Sequence, residues 1–296
     1  MSSLQFYHLT LVLLLTHATT YCLADTWGSI EQTEFYSDNG AYVLVIEPVD
    51  DWGQKPGHCR GTLYQVIDQD RREPVWSRHL VNNYAPVQVH VADSGDHVVT
   101  MDEWGQVGDL PVVIYDRRGS LVMVHNIPSL GLDDDEAIEH ITQSVSSYWW
   151  NEDAIAFFDE NGQHFFVRLY WGRLIAISLK TGRRLDASIV AERTWLEEDW
   201  NALTQQATTA LPPLIMQGLA SDDPKKQRAA AIAAGQLELT EAIPALHNLL
   251  ESSFFHDEQI GNGPHTRVYT VREAAAQALQ ALGQEIGDVV LRKELP

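Results

Sequence analysis

The sequence predicts a mixed chain of two domains, an all-β meander followed by an all-α domain of helical hairpins. Two observations carry this reading. A unit of turn, strand, Trp-Gly, strand, turn and strand recurs: Gly95 and Gly162 are 67 residues apart, as are Trp104 and Trp171. Beyond Asp186 the apolar residues change from the alternation of strands to the three- and four-residue spacing of helices. The expected divisions are residues 1–24 as an export signal, 25–186 as the sheet domain, 187–210 as an acidic and polar connector with helical potential, and 211–296 as the helical domain.

Met1 to Ala24 contains no Asp, Glu, Lys or Arg, and Leu9 to Leu15 is apolar except for Thr10. That run is too short to span a bilayer. Cys22-Leu23-Ala24 places small residues three and one positions before Asp25, as a signal peptidase requires. The expectation is a periplasmic or secreted protein with no membrane span after removal of the signal. Cleavage at Ala24 leaves Cys59 as the single cysteine, so no internal disulfide can form.

In the sheet region the best copy of the repeat runs from Asp93 to His125. It holds the turn Asp93-Ser94-Gly95, the strand His97–Met101, Trp104-Gly105-Gln106, the strand Val112–Tyr115, the turn Asp116–Gly119 and the strand Leu121–His125. An earlier copy has Asp38-Asn39-Gly40, Tyr42–Ile46 and Trp52-Gly53-Gln54; a later one has Glu160-Asn161-Gly162, His164–Leu169 and Trp171-Gly172. Further runs at Thr62–Ile67, Val87–Val91 and Leu174–Ile177 are short and rich in β-branched and aromatic residues, which reads as strand. Asp133 to Ile141 interrupts them as a helix, its acidic first turn matched to the helix dipole. The recurring order resembles blades of a β-propeller of the WD40 or quinoprotein kind, without the Trp-Asp dipeptide of the former. Three copies fall short of the four to eight blades that close such a ring.

In the helical region, Asp223 caps a helix that has Pro224 at its first position, alanines from Ala229 to Ala234, and Gly235 at its expected end. Ala242 to Leu250 gives a second helix with Ile243, Leu246, Leu249 and Leu250 on one face. Thr270-Val271-Arg272-Glu273 reads as a capping box opening a helix that runs to Gly283. Asp223-Pro224, Arg228, Ala229-Ala230, Ala234-Gly235 and Ala242-Ile243-Pro244-Ala245-Leu246 resemble one repeat of the short HEAT type found in phycobilisome-lyase-like proteins. Val271-Arg272, Ala274-Ala275, Ala278-Leu279 and Leu282-Gly283 resemble the first helix of another, and Pro213 to Leu219 the second helix of a preceding one. The resemblance implies a scaffold that binds other proteins. It breaks at Ser252 to Tyr269, an insertion containing Phe254, Phe255, His256, Gly261 and Gly263. The expectation there favours burial of Phe254 and Phe255 against the sheet domain over exposure as a partner site.

The net charge is −21, with 30 acidic and 13 basic residues between Asp25 and Asp199 against 11 and 7 beyond. A field of this sign repels phosphate backbones and anionic lipid, so nucleic acid is excluded as a partner. No G-x-S-x-G, H-E-x-x-H, P-loop or G-x-G-x-x-G is present, and no catalytic residue or cofactor is expected. His90, Asp93, Asp96 and His97 carry the ligand types of a divalent-metal site, although turn formation accounts for the same carboxylates. Asp133-Asp134-Asp135 lacks calcium-loop spacing and reads as a helix start. Asp50-Asp51 and Asp102-Glu103, each followed by Trp-Gly-Gln, could form an acidic and aromatic rim. Trp52, Trp104 and Trp171, with Phe254 and Phe255, are the candidate partner-binding residues, the tryptophans also serving as packing. The function expected is an exported, non-catalytic binding or scaffold protein with a protein partner. Its alternatives are an enzyme or enzyme accessory with a small-molecule pocket between the domains, or a structural component of an extracellular complex.

Overall fold

The structure is a computed structural model that describes residues 27–49, 57–188, 199–259 and 265–295. The export signal, Cys22, Asp50, Asp51, Trp52, Glu192, Glu197, Glu198, Gly261 and Gly263 lie outside those residues. Three four-stranded antiparallel sheets follow one another along the chain, each with its strands paired in sequence order. Sheet I contains β1 (Thr33–Tyr36), β2 (Tyr42–Glu47), β3 (Arg60–Val66) and β4 (Arg72–His79). Sheet II contains β5 (Pro86–Val91), β6 (His97–Glu103), β7 (Val112–Asp116) and β8 (Leu121–His125). Helix α1 (Asp135–His140) and a two-stranded ribbon, β9 (Thr142–Gln143) with β10 (Tyr148–Trp149), lead to sheet III: β11 (Ile155–Phe158), β12 (His164–Arg168), β13 (Leu174–Ser178) and β14 (Arg184–Leu185). The repeat seen in the sequence thus starts inside each sheet, at the turn after its first strand. In sheets II and III the Trp-Gly pair occupies the connection between the second and third strands.

Alternation along the strands divides the apolar residues between two faces, since successive side chains point to opposite sides. One face of sheet II places Val91, Val98, Val113 and Tyr115 in a core with Leu44, Ile46, Leu63 and Trp76 of sheet I. The other places Val99, Met101, Val112 and Ile114 in a core with Phe165, Val167, Ile175 and Ile177 of sheet III. Sheet III then turns Phe157, Phe166, Ala176 and Leu185 toward the helices rather than toward a fourth sheet. Each fully buried Leu, Ile or Phe contributes about 1.5–3 kcal/mol, so both faces of sheets II and III stabilise the fold.

The helices are α2 (Trp200–Leu219), α3 (Pro224–Gln236), α4 (Ile243–Leu249) and α5 (Thr270–Ala281). Leu203, Ala207, Leu211, Ile215 and Leu219, four residues apart, form the buried stripe of α2 and share a core with Phe166. Residues 187–210, expected as a connector, are therefore helical from Trp200 onward, and α2 runs on through Pro212 and Pro213. Gly235 does not end α3 as expected: it lies inside the helix, where an added Cβ would stand 2.8 Å from Ala278 Cα. Its role is close approach of α3 to α5. Asp223 does cap α3, accepting the Lys225 N–H at 2.9 Å. The expected capping box of α5 is absent, because Tyr269 holds the N-cap position with no side-chain bond and Glu273 instead accepts from Arg292 Nε at 2.7 Å. At the other end, Gly283 takes φ +70° and Gln284 N–H bonds Leu279 O, a left-handed helix stop that glycine meets without strain.

The insertion 252–269 forms a hairpin, β15 (His256–Gln259) with β16 (His265–Val268), and β17 (Arg292–Glu294) pairs with β16 to make sheet IV. The other face of sheet I carries buried Val43 and Val45 together with polar pairs. Arg72 holds Glu34 with two bonds of 2.6 and 3.0 Å and also donates to the Tyr36 hydroxyl at 2.6 Å, and Thr62 bonds Ser77.

Candidate functional site

Asp102-Glu103 is not a binding rim. Both side chains are buried, Asp102 to 1% exposure. Asp102 Oδ1 accepts from Trp150 Nε1 and Gly108 N, each at 2.8 Å, and Oδ2 accepts from Asn151 Nδ2 at 2.7 Å. Its own carbonyl takes the Asn82 amide at 3.1 Å, and its backbone sits at φ +61°. Glu103 accepts the N–H groups of Asn83 and Tyr84 at 2.9 and 2.8 Å. The pair therefore clasps the link from sheet I to sheet II and the segment entering sheet III. Burial pushes the Asp102 carboxyl up to about 7 against the pull of its three donors, and burial likewise raises Glu103.

The structure does not bring His90, Asp93, Asp96 and His97 together as ligands. Asp93 accepts the Asn39 N–H at 2.9 Å, joining the first turn of sheet II to that of sheet I, while Asp96 faces Arg117 at 3.7 Å. The strand register puts both histidines on the face of sheet II that meets sheet III, with the His90 ring 5.2 Å from that of Phe165. His90 Nε2 is sealed from water without a partner, as is His97 Nδ1, and burial pushes His90 down to about 4. A ring held neutral in an aromatic contact is packing. Among the described residues no three His, Cys, Asp or Glu side chains are grouped as a metal ion requires. Asp134 caps α1, bonding Ala137 N at 2.9 Å, and the Arg173 guanidinium holds its carboxyl down at about 2.

Trp104 and Trp171 are half-buried. Trp104 meets Trp27 edge to face at 5.0 Å, and Trp171 stacks on His140 at 5.1 Å. Both sit in the connections between the second and third strands, in sheets II and III. Phe254 and Phe255 break the expectation of burial, with 43% and 41% exposure. Sheet IV has its own apolar anchor in Val268, which is buried, and this leaves the two phenylalanines outside the core. Arg267 lies 3.6 Å over the Phe255 ring, Tyr269 flanks it at 6.0 Å, and Asp257 bonds Arg267 at 3.0 Å. The result is a half-exposed aromatic surface held in place by a charged frame. Arg267 and Tyr269 were not singled out by sequence reasoning; their two-residue spacing at the end of the insertion that opens with a Phe-Phe pair is the signal that marks them.

The contact between sheet III and the helices has polar fasteners as well as the shared core. Arg228 of α3 pairs with Glu152 at 3.2 Å and Asp153 at 3.1 Å, and Gln206 of α2 donates to Asp159 at 3.2 Å. Arg272 meets turn carbonyls, Ser252 O at 2.6 Å and Val290 O at 3.2 Å, as a structural arginine would. No helix among the described residues is long and apolar enough to cross a membrane.

No family model matches the chain, so the HEAT resemblance finds no support there. No curated protein is similar to it. Among solved structures the chain is similar to the crystal structure of HIRA(644-1017), with 11% identity over 91% of this chain and 94% of that one. The TM-score of 0.28 is too low for this likeness to carry an argument, and the blade-like character of the sheets rests on their own topology.

Proposed function

We propose that the protein is an exported, non-catalytic binding or assembly module. In this reading three propeller-like sheets and a HEAT-like helical unit form a body that presents sheet IV to a protein partner. The observation that carries it is the exposed pair Phe254 and Phe255, with Arg267 stacked over the second ring. Aromatic and arginine side chains dominate the energetics of protein interfaces, and an adjacent pair left in water is costly unless covered on binding. The neighbouring Asp257 and Arg267 supply the polar rim such a surface needs.

The test is Phe254→Ser with Phe255→Ser in the full chain. Because both rings are half-exposed, the melting temperature is expected to stay within about 2 °C of the wild type, as surface substitutions do. Affinity for a protein recovered from envelope extract is expected to fall by about 30-fold or more, the size of a hot-spot loss. Unchanged recovery would remove these residues from the interface, and a large drop in melting temperature would return them to the core.

A further inference from the structure

Arg168 is the only buried lysine or arginine among the described residues, at 6% exposure. It ends β12, opposite Ile155 and Leu174, and its side chain leaves on the helix-facing side of sheet III with Phe166. A guanidinium carries five N–H donors, and this one makes a single hydrogen bond, from Nη2 to Gln236 Oε1 at 2.7 Å. Gln236 is exposed and is held in turn by its own donation to Tyr170 O. Among the described residues no carboxylate lies within ion-pair distance of the Arg168 guanidinium. Glu152 and Asp153, at the start of the same sheet, are engaged by Arg228.

A buried cation without a counter-charge is strongly unfavourable, and the C-terminal end of α3 beside it offers only partial negative charge. Desolvation lowers the Arg168 pKa, as expected for a charge whose environment does not repay its lost hydration. One side of the guanidinium is left uncovered by side chain. Gly172, exposed in the turn between β12 and β13, stands where a Cβ would come 3.8 Å from Arg168 Nη2 and meet nothing else within 4 Å. Arg168 Nε and Nη1 are not among the unpartnered polar atoms sealed from water, and the Gly172 turn and the end of α3 flank the guanidinium.

We propose that Arg168 is the anchor of a binding site for the carboxylate of a small organic acid at the boundary of sheet III and α3. The planar fork of a guanidinium matches a carboxylate with two parallel N–H···O bonds. A singly charged carboxylate suits this chain better than a phosphate dianion, because the net charge of −21 opposes each added negative charge. The site is separate from Phe254 and Phe255 and does not depend on the function proposed for them.

The test is thermal melting and calorimetric titration of the full chain with acetate, propionate or inorganic phosphate, against sodium chloride at equal ionic strength. The carboxylates are expected to raise the wild-type melting temperature by several degrees, because a ligand bound only by the folded state stabilises it. Arg168→Lys, which keeps the charge but loses the fork, is expected to weaken carboxylate affinity by about tenfold or more. Gln236→Glu puts the chain's own carboxylate against the guanidinium at the loss of the donation to Tyr170 O; it is expected to abolish the response to added carboxylate. A wild type that follows ionic strength alone, or a Gln236→Glu variant that responds like wild type, would overturn the site. A response to phosphate exceeding that to carboxylate would overturn the ligand class.

Discussion

Asp102→Ala is expected to destabilise the fold by about 3–5 kcal/mol in urea denaturation at neutral pH. The substitution strands three donors in a dry interior, Trp150 Nε1, Asn151 Nδ2 and Gly108 N, and each buried donor left unpaired costs about 1–3 kcal/mol. Asp102→Asn should lose far less. Its remaining oxygen still accepts from Trp150 and Gly108, and the Asn151 amide can turn to offer its own oxygen to the new NH2 group. The two forms should also differ in pH dependence. Burial raises the Asp102 carboxyl from 3.8 to about 7, so between those values the folded chain keeps a proton that the unfolded chain has released. The stability this group contributes is fully present below about pH 4 and is lost as the pH rises toward 7, following the linkage between proton binding and folding. Asparagine at 102 removes that slope. If Asp102→Ala were as stable as Asp102→Asn at every pH, the clasp would have no energetic role.

Phe166→Ala is expected to cost a further large amount, about 3–5 kcal/mol, the loss typical of a fully buried phenylalanine. Phe166 packs on Phe157 with ring centroids 5.3 Å apart and shares a core with Leu203, Ala207 and Leu211 of α2. It thus belongs to sheet III by sequence and to the helices by contact. The cavity should loosen both sides together, seen as a parallel loss of amide protection in β12 and α2. A loss confined to the sheet would show that the helices stand without it.

The strands and turns of sheets II and III were legible because their signals are local. A Gly turn, an apolar run and a Trp-Gly pair lie within a few residues of one another and recur after 67. The first and last strands of the sheets were harder. β4 carries Pro74 at a register shift and is exposed along most of its length, so it shows no alternation. Helix α2 was divided in the reading between 210 and 211, where an acidic and polar stretch gives way to apolar helical spacing, yet the buried stripe Leu203 through Leu219 runs across that point and on through Pro212 and Pro213. Gly235 resembled a helix stop because a glycine that permits close packing and one that permits a turn look the same in sequence.

The sites were less legible than the fold, for a physical reason. Asp102 looks like a surface acid beside a turn, and its two side-chain donors lie 48 and 49 residues downstream. Arg168 sits in an ordinary apolar strand, and only the strand register and the approach of α3 leave it buried without a carboxylate. The Phe254-Phe255 pair was visible, but whether it faced core or solvent depended on the pairing of β16 with the distant β17.

The central claim is that the helices take the place a fourth sheet would occupy, so that sheet III and the helices share one core through Phe166. Differential scanning calorimetry of the intact chain tests it most directly. The account predicts one transition whose calorimetric enthalpy equals its van't Hoff enthalpy. Two resolved transitions, one assigned to the helices by far-ultraviolet circular dichroism and unmoved by Phe166→Ala, would contradict it.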